Sequence, residues 1–338
     1  MLLPCPCHLA ETGDCIICSQ LQGATGCDCA NWKGVCIYQE YIWNNKKAKS
    51  GRKYYKCSII RKTNFSENTI ILTIKAPEIL VNNLIYPGSF VFLKNPNTDQ
   101  FYYFPISIMD ADIQNSSLTF AIELKGIKTK KVNELKIQDE ILVKGPFWNG
   151  VLGLRNINNI KNSVCLTIAR GIGQAPLVPV LKKLHKNNNK IISILDKGNY
   201  NDNFIYEYLL NYDCEIIHCN TFENGKLTTE FKELLIDILL KNNIKLVHCS
   251  AADILNYNVM KIVENVSESL YVVDLNNINE IISKSNPSIK FTCCNNAKMS
   301  CGEGICGCCT RKNKDHKLRR MCKMQTDPKY VLEGRRLF

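Results

Sequence analysis

Cys301, Cys306, Cys309 and Cys322, near the end of the chain, follow the pattern Cys-x4-Cys-x2-Cys with a more distant fourth thiol. Plant-type ferredoxin loops hold a [2Fe–2S] cluster with this spacing. Gly302, Gly304 and Gly307 lie between them. Glycine lets a backbone wrap closely around inorganic sulfide and turn its N–H groups toward it. A zinc loop is the competing reading, although structural zinc sites more often use two short Cys-x2-4-Cys units, and no second unit follows here. Unligated thiols are the third reading. The spacing predicts one-electron chemistry with these four cysteines as ligands.

Such a loop needs a scaffold, and 338 residues suffice for two or three domains. Between Tyr54 and Phe147 short β-type runs alternate with turn signals, at residues 55–61, 69–76, 89–94, 118–124 and 140–144. Runs of that length and spacing predict a small antiparallel barrel. Beyond Asn162, residues 164–169, 190–195, 215–218, 245–249 and 270–273 read as buried strands. Helical patterns fall between them at 175–186, 204–212, 228–241 and 254–265. This alternation predicts a doubly wound parallel sheet. The expected fold class is multidomain: a cysteine-rich N-terminal segment (1–50), an antiparallel β-barrel (51–155), a doubly wound α/β domain (156–285) and a C-terminal cluster segment (286–338).

The first buried strand runs directly into Arg170-Gly171-Ile172-Gly173-Gln174-Ala175-Pro176. A glycine turn at a strand's carboxyl end that opens a helix presents unpaired N–H donors and a positive dipole end, which suit a pyrophosphate. Pro176 falls in the first helical turn, where a missing N–H is tolerated. The third glycine of the dinucleotide fingerprint is absent, so an ordinary strand–helix turn is the competing reading.

Composition narrows the class further. Nineteen cysteines in a large chain, with no basic start and no apolar signal core after Met1, point to metal ligation in a reducing cytoplasm rather than to disulfides. No run of eighteen apolar residues exists, so a membrane span is not expected. The formal charge is +12. The lysines read as scattered among Asn and Ile, without an aromatic-interleaved basic motif, so nucleic acid is not an expected partner. Cys5, Cys7, Cys15, Cys18, Cys27, Cys29 and Cys36, with His8 nearby, crowd the N-terminal segment. Either a bound metal (zinc or a second iron–sulfur cluster) or a set of reduced or redox-labile thiols fits that density.

The order of barrel, Gly-Ile-Gly-Gln-Ala-Pro-Leu turn and Cys-Gly-Glu-Gly-Ile-Cys-Gly-Cys-Cys loop resembles the ferredoxin–NADP reductase-like superfamily. Within it, the chain is most similar to electron-transfer subunits of B-type dihydroorotate dehydrogenase, and also to sulfide dehydrogenase-like subunits. The resemblance covers roughly residues 54–322. It implies FAD on the barrel, NAD(P)H on the α/β domain, a [2Fe–2S] cluster on the C-terminal loop and electron exchange with a catalytic partner subunit or a ferredoxin-like protein. It places Pro105, Ile106 and Ser107 along the flavin, Gly126 and Thr129 near its phosphates, and Gly171, Gly173, Gln174, Ala175 and Pro176 at the nicotinamide nucleotide. Pro87-Gly88-Ser89-Phe90-Val91 matches the family's entry into the barrel.

Two departures stand out. Phe104 replaces the arginine that relatives place before Pro-Ile-Ser, a charge-assisted contact worth about 1.5–3 kcal/mol to a pyrophosphate, which also leaves FMN open in place of FAD. Cys249-Ser250-Ala251 stands where relatives often have Cys-Gly-Pro. Both favour the alternative of a non-catalytic, metal-bound regulatory or scaffold protein derived from such a reductase. Cys249 reads either as facing a nicotinamide ring or as a buried strand-end thiol. Asp196 reads as a ribose contact or, more simply, as a solvated turn residue. Cys293, Cys294 and Cys308 are substitute ligands for the cluster. Tyr102 and Tyr103 are read as packing rather than flavin-stacking, and Trp32, Trp43 and Trp148 as core or interface residues.

Overall fold

Period-2 burial builds the first layer. The structure is a computed structural model that describes residues 10–11, 13, 18–27, 36–47, 52–276, 289–312 and 318–333. After a short helix α1 (Ile37–Trp43), the chain forms β1 (Lys53–Ser66), β2 (Thr69–Lys75), α2 (Glu78–Leu84), β3 (Phe90–Lys94), β4 (Phe104–Ser107), β5 (Asp110–Asp112), β6 (Ser117–Glu123), α3 (Ile127–Asn133) and β7 (Glu140–Phe147). In β7 the residues Ile141, Val143, Gly145 and Phe147 are buried and alternate with more accessible neighbours, as a strand with one face on a core requires. The seven strands form one antiparallel sheet in the order β4-β3-β7-β1-β2-β6-β5. It curls around a core of Leu72, Ile74, Phe120, Val143 and their neighbours. The expected barrel is therefore a half-barrel, because β4 and β5 end the sheet without pairing to each other.

The second layer is a parallel sheet. β8 (Val151–Leu152) and α4 (Leu154–Asn159) lead into β9 (Val164–Arg170), α5 (Gln174–Lys186), β10 (Lys190–Asp196), α6 (Tyr206–Asn211) and β11 (Glu215–His218). A small hairpin of β12 (Phe222–Glu223) and β13 (Lys226–Leu227) precedes α7 (Thr229–Lys241), β14 (Ile244–Ser250), α8 (Asp253–Asn276) and β15 (Lys290–Cys294). The order is β11-β10-β9-β14-β15-β8, with only β8 antiparallel. Alternate strand residues face opposite helix layers. Leu166 and Ile168 pack with α7 and α8, whereas Cys165 and Ala169 pack with α5 and α6. This is the doubly wound arrangement.

One strand was misplaced by the sequence reading. Residues 270–273 lie inside α8, and the strand that completes the parallel set is β15. The four-residue run Leu-Tyr-Val-Val carries too little local preference to interrupt a helix that is already propagating. The sheet thus takes strands from both sides of the 156–285 segment. Beyond β15 the cysteine loop leads into a ribbon of β16 (Thr310–Lys312) and β17 (Leu318–Arg320), then α9 (Pro328–Leu332).

Near the N-terminus, Cys36 caps α1 by accepting the Gln39 N–H at 3.5 Å. Cys18 is buried, while Cys27 and Cys36 are exposed. Cys5, Cys7, Cys15, Cys29 and Trp32 lie outside the described residues. Trp43 is 70% exposed and so is not a core residue, whereas Trp148 is buried and donates to the Asn83 carbonyl at 2.7 Å. Among the described residues no helix is long and apolar enough to cross a membrane.

The buried His248 of β14 gives the sheet an acid-labile point. Thr292 Oγ1 donates to the Val247 carbonyl at 3.3 Å, so His248 Nδ1 donates to that hydroxyl at 3.0 Å and Nε2 carries no proton. Complete burial lowers its pKa from 6.5 to about 3. Below pH 6.5 the unfolded chain takes up a proton that the folded chain refuses until about pH 3, so stability falls as pH drops through that window. Urea denaturation at pH 6.5 and pH 4.5 should show His248→Asn losing about 2–3 kcal/mol less than the parent over that interval.

Candidate functional site

The flavin-type segment lies on the edge strand β4. Phe90 pairs with Ser107, Val91 with Ile106 and Phe92 with Pro105. Pro105 is exposed, and Ile106 and Ser107 are half-buried. Phe104 is 8% exposed and belongs to the half-barrel core, so this position offers apolar packing in place of a cation. A positive charge reaches the preceding residue from the start of α3. Lys128, between Gly126 and Thr129, donates to the Tyr103 carbonyl at 3.0 Å, one residue before Phe104. The Thr129 hydroxyl accepts the Gly126 N–H at 3.3 Å and donates to its carbonyl at 3.0 Å, closing that turn on itself. Tyr103 packs against Tyr54 with ring centroids 5.8 Å apart.

The glycine turn lies between β9 and β14, where the strand order reverses and doubly wound sheets open a ligand crevice. Gly171 has φ +54, and Gly173 sits so close to β14 that an added Cβ would fall 1.9 Å from the Ser250 carbonyl oxygen. The smallness of Gly173 is thus used by the adjoining strand end. Gln174 is fully buried and donates to Asn203 Oδ1 at 2.7 Å. Gln174 Oε1 and the equally buried Asn256 Oδ1 have no hydrogen-bond partner among the described residues. Buried acceptors of this kind are costly when left unpaired, and they suit a polar ligand that donates to them. Ala175 is buried and Pro176 half-buried in the first turn of α5. The turn is held to the half-barrel by Tyr200, whose ring lies 4.0 Å from the Cβ position of Gly171. Its hydroxyl accepts from Thr69 at 3.2 Å and donates to Glu123 at 3.1 Å.

Asp196 fits neither of its two sequence readings. It is 4% exposed, and its oxygens accept from Arg170 at 2.6 Å, the Thr221 N–H at 2.8 Å, the Thr221 hydroxyl at 2.6 Å and the Gly198 N–H at 2.7 Å. A carboxylate so fully engaged is neither a solvated turn residue nor a free ribose acceptor. Cys249 is a buried strand-end thiol, register-paired with Cys293 and raised in pKa by its burial. Cys293 and Cys294 belong to β15, which leaves Cys308 as the one flanking thiol in the loop itself.

The loop cysteines form two hydrogen-bonded thiol pairs, Cys301 with Cys306 and Cys309 with Cys322, and Cys322 lies close enough to Cys301 to feel its charge. Among the described residues no three His, Cys, Asp or Glu side chains form an ion-holding set. Each pair favours thiolate on one of its two sulfurs: Cys301 and Cys309 are lowered in pKa, while Cys306 is raised by burial and its thiol partners and Cys322 by its thiol partner and burial. Burial opposes ionisation of Cys301, but N–H groups of Cys306, Glu303 and Ile305 outweigh it, the Glu303 donor at 3.3 Å. Cys309 drops to about 6 because Cys322 donates to it and Arg320 stands nearby. Met321, just before Cys322, is held through its carbonyl by the side-chain amides of Asn149 at 2.5 Å and Asn295 at 3.0 Å.

The structure reveals contacts that spacing alone did not signal. Phe147, the last residue of β7, stacks on Phe90 at 5.1 Å and meets Phe92 edge-on at 5.2 Å. Gly302 rests directly on the Phe147 ring. The Arg52 guanidinium lies 5.4 Å from the Phe147 ring centre and 5.2 Å from that of Trp148. The Arg52 N–H meets Glu303 at 3.1 Å, and Lys323 meets the same carboxylate at 3.2 Å. Burial alone would push the Glu303 carboxyl up, but Lys323 and Arg52 hold it below the usual value. Gly302 has φ +69, and an added Cβ would fall 2.4 Å from the Phe147 ring. Gly302→Ala should therefore cost about 2–5 kcal/mol in urea denaturation, from backbone strain and overpacking together. Gly225→Ala, with φ +78 and open space around it, should cost only the strain, about 1–2 kcal/mol.

No family model matches the chain. The electron-transfer subunit of dihydroorotate dehydrogenase B (NAD(+)) from Clostridium acetobutylicum is 27% identical over 239 residues, covering 71% of this chain and 82% of that protein. The corresponding subunit from Clostridium perfringens is 28% identical over 240 residues, covering 71% and 83%. A solved NADH-dependent reduced ferredoxin–NADP oxidoreductase, described in connection with flavin-based electron bifurcation, shares the fold with a TM-score of 0.61 at 16% identity, covering 82% of this chain and 88% of that one. Sequence likeness to these electron-transfer subunits and an architecture shared with the ferredoxin–NADP oxidoreductase agree with the resemblance to the ferredoxin–NADP reductase-like superfamily.

Proposed function

We propose that the chain is the electron-transfer subunit of a flavin- and iron–sulfur-dependent oxidoreductase, moving electrons between NAD(P)H and a partner redox protein. One observation carries the reading. Ser107 of β4 pairs with Phe90, Phe90 stacks on Phe147, and Phe147 supports Gly302, so the flavin-type strand and the cysteine loop share one aromatic layer. Bound FAD would supply the switch between two-electron exchange with NAD(P)H and one-electron exchange with a [2Fe–2S] cluster.

The residues fit these groups. Cys301, Cys306, Cys309 and Cys322 would ligate the cluster, since their spacing suits one, and the loop's N–H groups and Arg320 already favour the ligating thiolate at Cys301 and Cys309. Pro105, Ile106 and Ser107 would line the flavin. Gly126 and Thr129 would stand by its phosphates, with Lys128 as the local charge that Phe104 lacks. Gly171, Gly173, Gln174, Ala175 and Pro176 would receive the nicotinamide nucleotide, where Gln174 Oε1 and Asn256 Oδ1 await donors. The working division is a flavin unit over 51–155, a nicotinamide unit over 156–285 and a cluster segment over 286–338. The partner is a catalytic subunit or a ferredoxin-like protein. The curated relatives support this, being named electron-transfer subunits of a larger enzyme.

Phe104 supports a second reading, a metal-bound scaffold protein that no longer holds flavin, because its buried ring removes the usual pyrophosphate contact. An anaerobic visible spectrum with flavin and iron counted per chain separates the two. About one flavin and two irons, bleached by NADH, are expected for the electron-transfer reading. A colourless protein that NADH leaves unchanged would establish the scaffold. Cys306→Ser should abolish reduction of one-electron acceptors through the cluster while NADH still bleaches the flavin.

A further inference from the structure

Arg52, Lys323 and Arg320 all reach the cysteine loop, and the first two are already matched there. Lys323 pairs with Glu303 at 3.2 Å, and Arg52 lays its guanidinium against the Phe147 and Trp148 rings. Arg320, the last residue of β17, stands two positions before Cys322. It lies opposite Thr310 on the antiparallel β16–β17 ladder, so the two side chains share a face. There Arg320 Nη1 donates to the Thr310 hydroxyl.

The base of this ribbon is fastened to the loop backbone. Thr310 N–H and Oγ1 both donate to the Gly307 carbonyl, at 2.9 and 2.6 Å, and the Met321 N–H donates to the Cys309 carbonyl at 3.2 Å. The fastening lays the guanidinium over Gly307, between Cys306 and Cys309. Its Nη1, Cζ and Nη2 fall 2.6, 3.6 and 3.8 Å from the Cβ position of that glycine. A side chain at 307 would occupy the space that the guanidinium fills. Arg320 Nε is buried and has no hydrogen-bond partner among the described residues. A buried cationic donor without an acceptor is costly, and a strut to Thr310 needs only Nη1. Thiolate and sulfide sulfur are the acceptors that a loaded loop would bring to this place.

We propose that Arg320 sets the reduction potential of the cluster that the four loop cysteines would hold, raising it by offsetting the charge that reduction adds. This inference rests on the electron-transfer reading above and deepens it by naming the side chain that tunes the one-electron step. That step takes one electron from the flavin and adds one negative charge, with no bond made or broken. A fixed cation and a hydrogen bond beside the ligating sulfurs stabilise the more negative, reduced form. Arginine suits the task because it stays charged when half-buried.

The test uses the full chain, made anaerobically with iron, with iron counted and the midpoint potential read by mediated titration of the reduced-cluster electron paramagnetic resonance signal. Arg320→Gln should keep about two irons per chain and make reduction about tenfold or more less favourable, a fall of about 59 mV for a one-electron couple. Arg320→Lys keeps the charge and should stay within about threefold of the parent. An iron-loaded Arg320→Gln that titrates like the parent would make Arg320 a strut only and overturn the proposal. A tenfold fall in Arg320→Lys would also overturn it, because shape rather than charge would then be responsible. Should Arg320→Gln take up no iron, Thr310→Val decides. It keeps the arginine but removes the hydroxyl that holds Nη1, so its potential should fall by about threefold or more in the same equilibrium, and an unchanged value sinks the idea. A parent without flavin and without a [2Fe–2S] signal defeats the electron-transfer reading, whereas a parent with both and unshifted variants defeats this inference alone.

Discussion

The buried side chain of Asn149 is the joint on which the rest of the structure depends. Its amide donates to the carbonyls of Met321 at 2.5 Å and Met324 at 2.6 Å, and its Oδ1 accepts from Gln325 at 2.6 Å. Its own carbonyl accepts from Asn295, which follows β15, at 2.7 Å. Gln325 also reaches the Val151 carbonyl at 2.7 Å and accepts the Leu154 N–H at 3.1 Å. Three segments far apart in sequence are thereby locked by short polar contacts: the end of the half-barrel, the end of the parallel sheet and the turn after β17 that bears Cys322. Buried polar networks of this kind stabilise only when every member is satisfied, and this one specifies a single relative placement of its parts.

That placement determines the geometry of the candidate site. Phe147 and Trp148 immediately precede Asn149, so the joint also sets the aromatic layer on which Gly302 rests. Arg52 spans both rings and meets Glu303, and the Glu303–Lys323 ion pair closes the loop from the other side. The buried pair is kept from being a liability by hydrogen bonds on both carboxylate oxygens. The loop is thus fixed against the half-barrel by packing and charge before any cofactor enters the argument.

Charge has two separate roles at this end of the molecule. Arg52, Arg320 and Lys323 are turned inward, toward Glu303, the loop backbone and the thiols. Arg311, opposite Arg319 on the ribbon ladder, instead holds its own strand by donating to the Thr310 carbonyl at 2.9 Å.

Local chemistry in the sequence determined a good deal. The β-type runs in the first half, the strands at β9, β10, β11 and β14, the helices between them, the glycine turn and the cysteine spacing all follow from short-range periodicity and turn residues, and each stands where that periodicity predicts. Tertiary structure decided the rest. Lys290–Cys294 became the completing strand because an open parallel sheet edge lay beside it, while the Leu-Tyr-Val-Val run at 270–273 stayed helical within α8. Asp196 turned inward because Arg170 and Thr221, distant in sequence, supply its hydrogen bonds. Phe104 entered the core because its strand faces it there, and Lys128 came to Tyr103 from a turn more than twenty residues away. Periodicity fixes which residues are apolar and where the chain turns. Which buried groups meet, and which cations turn toward the cysteine loop, depends on contacts between segments that no local pattern records.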